Sequence, residues 1–241
     1  MAKSSQPVEK DAIYIVISRT PTRIGRMIRK ALGEKYNHVS LSMDSKLNFM
    51  FSFGRIMLKN PLIGGIIHES RKNLSLGTSN PVFVKIYKIP VTREQYDLIW
   101  KKINDFFEDE EGYYYNYLGA LGLMLKFKIK MYKAYICSEF AMDMMKYAGI
   151  EITKEDSGLV TPDEISRLIG DYLIYEGNLQ VYGAITENQK NREAAHEILK
   201  KKRNKAARLF LEHESEGMIR DIPLILKFYA KLIKRELYKG P

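Results

Sequence analysis

Short apolar runs of strand-like pattern set the tightest limit on how this chain can fold. Asn37–Met43 (NHVSLSM) alternates polar and apolar residues as a half-buried strand does, and Phe49–Phe53 (FMFSF) follows it after the turn residues Asp44-Ser45-Lys46. The pair reads as an antiparallel hairpin. Ala12–Ser18 (AIYIVIS) is short, β-branched and apolar, the mark of a buried strand, and Ile66–Ile67 and Val82–Ile89 (VFVKIYKI) read as further strands. Between and after them the period changes. Pro21 opens a helical stretch to about Leu32, with Ile24, Ile28, Ala31 and Leu32 on one face and Gly33 as its stop. Thr92 and Gln95 have the spacing of a capping box, and Tyr96, Ile99, Trp100, Ile103, Phe106 and Phe107 then recur at helical intervals as a core stripe. Leu118–Leu125, the segment from Cys137 to Ala148 and a short helix opened by Thr161-Pro162 complete the helical set, and Leu173–Tyr182 returns as a strand. Strands and helices in this irregular order predict an α+β domain.

That domain is expected to span residues 11–183, after a flexible polar N-terminus at 1–10 and before a basic helical extension at 184–241. The extension carries 14 Lys/Arg against 8 Asp/Glu, and so holds more than half of the net charge of +10. Composition closes several function classes. One cysteine excludes an internal disulfide framework, and one cysteine with four histidines excludes a zinc-ribbon site, so neither a metal nor a cofactor is expected. No apolar run reaches the length of a membrane span, and Ala12–Ile17 is a poor export signal, which makes the cytoplasm the expected compartment. No glycine-rich phosphate loop and no nucleic-acid motif beyond bulk charge is present, so no specific nucleic-acid partner is expected.

Two residues have the chemistry of a reactive site. Cys137, the only thiol, stands at the predicted start of a helix, where aligned peptide dipoles favour the thiolate. Against that stands the ordinary role of a lone cysteine as a small buried hydrophobe. A nucleophilic thiol needs a base, and His38 is the best of the four histidines because an alternating strand aims its ring rigidly. His68 has no supporting motif, and His196 and His213 fall in the charged extension.

Asn37-His38-Val39-Ser40-Leu41-Ser42, the following Phe49-Met50-Phe51-Ser52-Phe53, and the later Tyr135-Ile136-Cys137-Ser138-Glu139-Phe140 together resemble the circularly permuted papain-like cysteine hydrolases and acyltransferases. These are the YiiX-like proteins, related to NlpC-type amidases and to the lecithin retinol acyltransferase group, in which the histidine strand precedes the cysteine helix. The resemblance covers about residues 11–165. It implies a papain-like antiparallel sheet packed against helices, with Cys137 as nucleophile and His38 as base and later acid. The family places a third polar residue, commonly Glu or a second His, on the strand after the histidine. Counting through the turn puts Ser52 there, a departure, because a serine carries no charge to stabilise an imidazolium. The resemblance therefore leaves three options: weaker catalysis with Ser52, a charge supplied by Asp44 or Glu69, or a site that binds without turnover. Glu139 is expected to be structural in the first helical turn. The backbone N–H of Cys137 is the natural oxyanion donor, and Tyr115, with Tyr117 as the alternative, resembles the family's site tyrosine.

The chemistry so implied is acyl transfer from an amide, ester or thioester, to water or to another acceptor, with an amide-type substrate favoured. Its partners would be a small-molecule, peptide or lipid acyl substrate. The rival readings are a papain-like shell that only binds a ligand, and a membrane-surface or partner-binding protein. Leu224, Leu226, Phe228, Tyr229, Leu232, Ile233 and Leu237 interleave with Lys227, Lys231, Lys234 and Arg235 in the extension. That pattern suits packing or self-association first and peripheral contact with an anionic membrane second. Arg19, Arg23, Arg26 and Arg29 read first as a solvated helix face and second as an anion site.

Overall fold

The computed structural model describes residues 11–56, 63–78 and 80–182. The expected loose N-terminus and the basic extension lie outside the described residues. The elements run β1 (Ala12–Arg19), α1 (Arg23–Leu32), β2 (His38–Ser42), β3 (Met50–Arg55), β4 (Gly64–Glu69), α2 (Arg71–Leu74), β5 (Phe83–Pro90), α3 (Arg93–Glu108), β6 (Tyr114–Tyr115), α4 (Tyr117–Met124), β7 (Ala134–Tyr135), α5 (Cys137–Tyr147), α6 (Pro162–Leu168) and β8 (Leu173–Asn178). Single turns of 3-10 helix occur at Ser157–Leu159 and Gly170–Tyr172. The architecture is α+β. Eight strands form one sheet in the order β7-β6-β4-β3-β2-β1-β5-β8.

The sheet is mixed, not antiparallel throughout as expected. β6 and β7 pair in parallel, Tyr114 with Ala134 and Tyr115 with Tyr135, while the other described pairings are antiparallel. The reason is topological. The chain leaves β6 through α4 and the basic loop and comes back alongside it, a crossover that restores the original direction.

β1 lies between β2 and β5 and is covered on both faces, which explains its nearly unbroken apolar run. Ile13, Ile15 and Ile17 enter the larger core with Val39, Leu41, Phe51 and Phe53 and with residues of α3, α5 and α6. Tyr14 and Val16 enter a smaller core on the other face with Met50, Leu74, Val84, Ile86 and Leu179. The capping box of α3 forms as read: Thr92 accepts the Gln95 N–H and the Gln95 side chain accepts the Thr92 N–H. A second capping box, between Thr161 and Glu164, starts α6. No described helix is long and apolar enough to cross a membrane.

The larger core is held at its centre by three rings. Phe53 of β3, Phe106 of α3 and Phe140 of α5 lie 5.3 to 5.9 Å apart between centroids, in tilted and edge-on pairs. This contact fixes α5, and with it the position of Cys137, against the sheet. Phe140→Ala is expected to cost about 3–5 kcal/mol in a chemical denaturation experiment, because the buried site cannot collapse around the void.

Candidate active site

His38 opens β2, and the chain leading into it is pinned from two sides. The Asn37 side chain accepts the Thr20 N–H at 3.1 Å, donates to the Thr20 hydroxyl at 2.6 Å, and accepts from Arg29. Arg29 also donates to the Thr20 carbonyl at 3.0 Å. From the far side, the Asp163 carboxylate in the first turn of α6 accepts the N–H groups of Lys35 and Tyr36, at 2.8 and 3.1 Å. Arg29 is thus a structural brace, whereas Arg23 and Arg26 are exposed on α1.

Cys137 is the first residue of α5. The N-cap residue, Ile136, has no side chain that can accept a hydrogen bond, so the free N–H groups of the first turn serve other partners. The backbone N–H groups of Ser138 and of Val39 in β2 stand near the Cys137 sulfur and favour its thiolate. Glu139, third in the helix, lies near the Ile136 N–H, which favours its carboxylate. Burial and the nearby Asp143 push the Glu139 pKa up to about 7, and the side chain lines a separate cavity with Tyr113, Lys130 and Lys133.

The structure brings Cys137 and His38 together. The imidazole stands beside the Cys137 sulfur, close enough for each to shift the other's titration. On the other side its Nε2 lies 2.9 Å from Glu69 Oε2. Carboxylate oxygens accept, so Nε2 carries the proton and Nδ1 is left for the sulfur. Burial pushes the Cys137 thiol up, but the imidazole and the two N–H donors outweigh it, and the thiol sits below its ordinary value. Burial pulls the His38 pKa down, but the sulfur and the Glu69 carboxylate outweigh it and raise the imidazole to about 10.

Ser52 does not take the third position. Its hydroxyl is fully buried and donates to the Val39 carbonyl at 2.6 Å, tying β3 to β2 without touching the ring. The carboxylate comes instead from β4. Gly54 of β3 has no side chain to intervene: a Cβ there would stand 3.7 Å from His38 Cε1 and 3.0 Å from Ile67 Cδ1. The imidazole lies over that glycine and reaches the strand beyond. Adjacent residues of β4 face opposite ways, so Glu69 meets His38 while His68 packs beside Phe51 and bonds the Asn48 carbonyl at 2.7 Å. Asp44, the other acid considered, accepts the N–H groups of Asn48 and Phe49 and closes the β2–β3 turn.

Beside the imidazole opens a cleft lined by His38, Gly54, Arg55, Glu69, Tyr115 and Tyr117, with the Cys137 sulfur behind the ring and not in the lining. Cys137 itself is 5% exposed. The two tyrosines contact each other, with ring centroids 4.6 Å apart. They reach the cleft because Gly64 and Gly65 let β6 lie close on β4: a Cβ on Gly65 would meet the Tyr113 carbonyl at 2.5 Å, and one on Gly64 would meet the Tyr115 Cβ at 2.7 Å. Burial, the Cys137 sulfur and Tyr117 hold the Tyr115 hydroxyl well above its ordinary pKa, so it is a neutral donor beside the thiol. Among the described residues no group of three or more His, Cys, Asp or Glu side chains could hold a metal ion. Comparison with protein-family models, curated proteins and solved structures finds no match to this chain.

The two shifts act in opposite senses on stability. The raised His38 pKa stabilises the fold fully below the ordinary imidazole value of about 6.5, and this contribution is lost as pH rises toward about 10. The lowered Cys137 pKa stabilises the fold above the ordinary thiol value, and this is lost as pH falls through the lowered one. The ion pair therefore exists between the lowered thiol value and about pH 10. Alkylation of Cys137 by iodoacetamide is expected to proceed at a nearly constant rate across that window and to fall away below it. Glu69→Gln is expected to slow alkylation at pH 7 by about 10²-fold or more, by analogy with loss of a triad carboxylate. Ser52→Ala should leave that rate unchanged and lower stability by about 1 kcal/mol.

Proposed function

We propose that this chain is a cysteine-dependent hydrolase or acyltransferase acting through a thioacyl-enzyme. The observation that carries the reading is the chain of contacts from the sulfur at a helix start, through the imidazole, to a buried carboxylate. The order of the parts also supports it, since the histidine strand precedes the cysteine helix as in the permuted papain-like enzymes that the sequence resembles. A helix that carries the thiol and packs on the sheet beside the histidine strand agrees with that fold.

In this reading the Cys137 thiolate attacks the carbonyl carbon of an amide, ester or thioester. A carbon–sulfur bond forms and the carbonyl electron pair moves onto oxygen. The Cys137 N–H at the uncapped start of α5 and the neutral Tyr115 hydroxyl are the donors available to that oxyanion. The bond to the leaving nitrogen, oxygen or sulfur then breaks as His38 delivers its proton. Water, or an amine or hydroxyl acceptor, gives a proton back to His38 and attacks the thioester, which releases the acyl group and restores the thiolate. Glu69 holds the ring and balances its charge throughout.

A site that binds without turnover drew its support from Ser52 as an uncharged third residue. With Glu69 on the imidazole that support is gone. An amide-type substrate remains the favoured class on the strength of the resemblance.

An activated p-nitrophenyl ester tests the mechanism. The wild-type chain should release about one equivalent of p-nitrophenol in a burst and gain the acyl mass on Cys137. Cys137→Ser should lose the burst, and His38→Ala should slow it by about 10³-fold or more. Equal acylation of the wild-type chain and His38→Ala would return Cys137 to the status of an ordinary thiol.

A further inference from the structure

Helix α4 has no polar face. Its sequence is YLGALGLM, and only Gly119, Gly122 and Leu123 of it are buried. Leu118, Leu121 and Leu125 follow at intervals of three and four and form a ridge on the outer side. Just beyond the helix, Lys126 adopts a left-handed conformation, with φ of 59°, and the chain doubles back so that the Phe127 N–H bonds the Gly122 carbonyl at 2.9 Å. α1 contacts α4 and adds Met27. These five side chains are 45% to 60% exposed. Single exposed hydrophobes need no explanation, but a ridge on one helix with two neighbours does.

The charges around the ridge say what covers it. Residues 21–33 and 117–133 contain no Asp or Glu. They hold Arg23, Arg26 and Lys30 on the outer side of α1, and Lys126 and Lys130 beside Phe127, all exposed. Lys128 is paired with Asp156. A second copy of this chain would bring like charges together, and so would its own basic segment around Lys227, Lys231, Lys234 and Arg235. A protein partner would also want neutral hydrogen-bonding side chains around the apolar centre. From Leu118 to Lys133 the only one is the Tyr132 hydroxyl.

We propose that the face made by α1, α4 and the loop to Lys130 docks on an anionic membrane. The leucine ridge, Met27 and Phe127 enter the boundary between headgroups and acyl chains, and the arginines and lysines meet lipid phosphates. Ile24 and Ile28 of α1 and Tyr117 of α4 line the cleft beside His38. A docked molecule therefore presents that cleft to the headgroup layer, where a lipid acyl carbonyl would be met. The docking itself does not rest on the thiol chemistry.

Vesicle co-sedimentation of the full chain tests the surface, using phosphatidylcholine alone and phosphatidylcholine with about one-third phosphatidylglycerol. The wild-type chain and Cys137→Ala should bind the anionic vesicles equally and the neutral ones weakly. Leu121→Glu with Leu125→Glu, at exposed positions, should lower the partition coefficient by about tenfold or more. A Leu121→Trp variant gives a second readout. Trp100, the only native tryptophan, packs between Phe49 and Phe51, so a blue shift of emission on adding anionic vesicles reports position 121. Absence of vesicle binding, binding that survives the double substitution, or unshifted emission of the Leu121→Trp variant would each overturn the proposal. Binding that survives would assign the contact to another part of the chain, the basic extension first.

Discussion

A thiolate and an imidazolium held inside a protein have both given up hydration worth several kcal/mol each, and the pair persists only if the surroundings return it. Here the return comes from three sources. The Val39 and Ser138 N–H groups favour the thiolate, and the Glu69 carboxylate accepts the ring N–H. Each source belongs to a different element: β2, the first turn of α5, and β4. The placement of those three elements is what the rest of the domain secures. The rings of Phe53, Phe106 and Phe140 set α5 on the sheet. The Thr20–Asn37–Arg29 network and Asp163 set the start of β2. The imidazole lies over Gly54 on its way to β4.

Much of this was legible in the residues. β1, β5 and α3 announce themselves because burial on one or two faces leaves a repeat several residues long. Cys137 and His38 could be paired because a helix start and an aimed strand are local features with chemical meaning. Glu69 was harder to assign. Counting along the hairpin leads to the neighbouring strand, and so to Ser52, whereas the ring passes over a glycine to the strand after that. Nothing local distinguishes an acid at the end of β4 from an acid in a turn, and register across three strands is a property of the folded sheet. β6 and β7 were hidden for a related reason: at two residues each they are too short to show any period, and their parallel pairing depends on where α4 and the basic loop return the chain.

The helix read as Leu118–Leu125 forms one residue earlier, at Tyr117–Met124, with the Asn116 side chain accepting the Gly119 N–H at 2.6 Å. That cap serves two ends. It starts α4, and it holds the turn that carries Tyr115 into the cleft and Leu118 out to solvent. The segment was read as helical with no side assigned to it, and the fold shows that Leu118 and Leu121 face outward.

The three side chains of the site come from segments far apart along the polymer, on β2, β4 and α5. Before those segments meet, the sulfur has no imidazole and no donated N–H groups beside it, and it reacts only as an ordinary thiol does. Its activation is thus a product of completed folding. A nascent or damaged copy of this chain would carry an exposed thiol of ordinary reactivity, so the rate at which the sulfur is alkylated reports how much of the chain is intact.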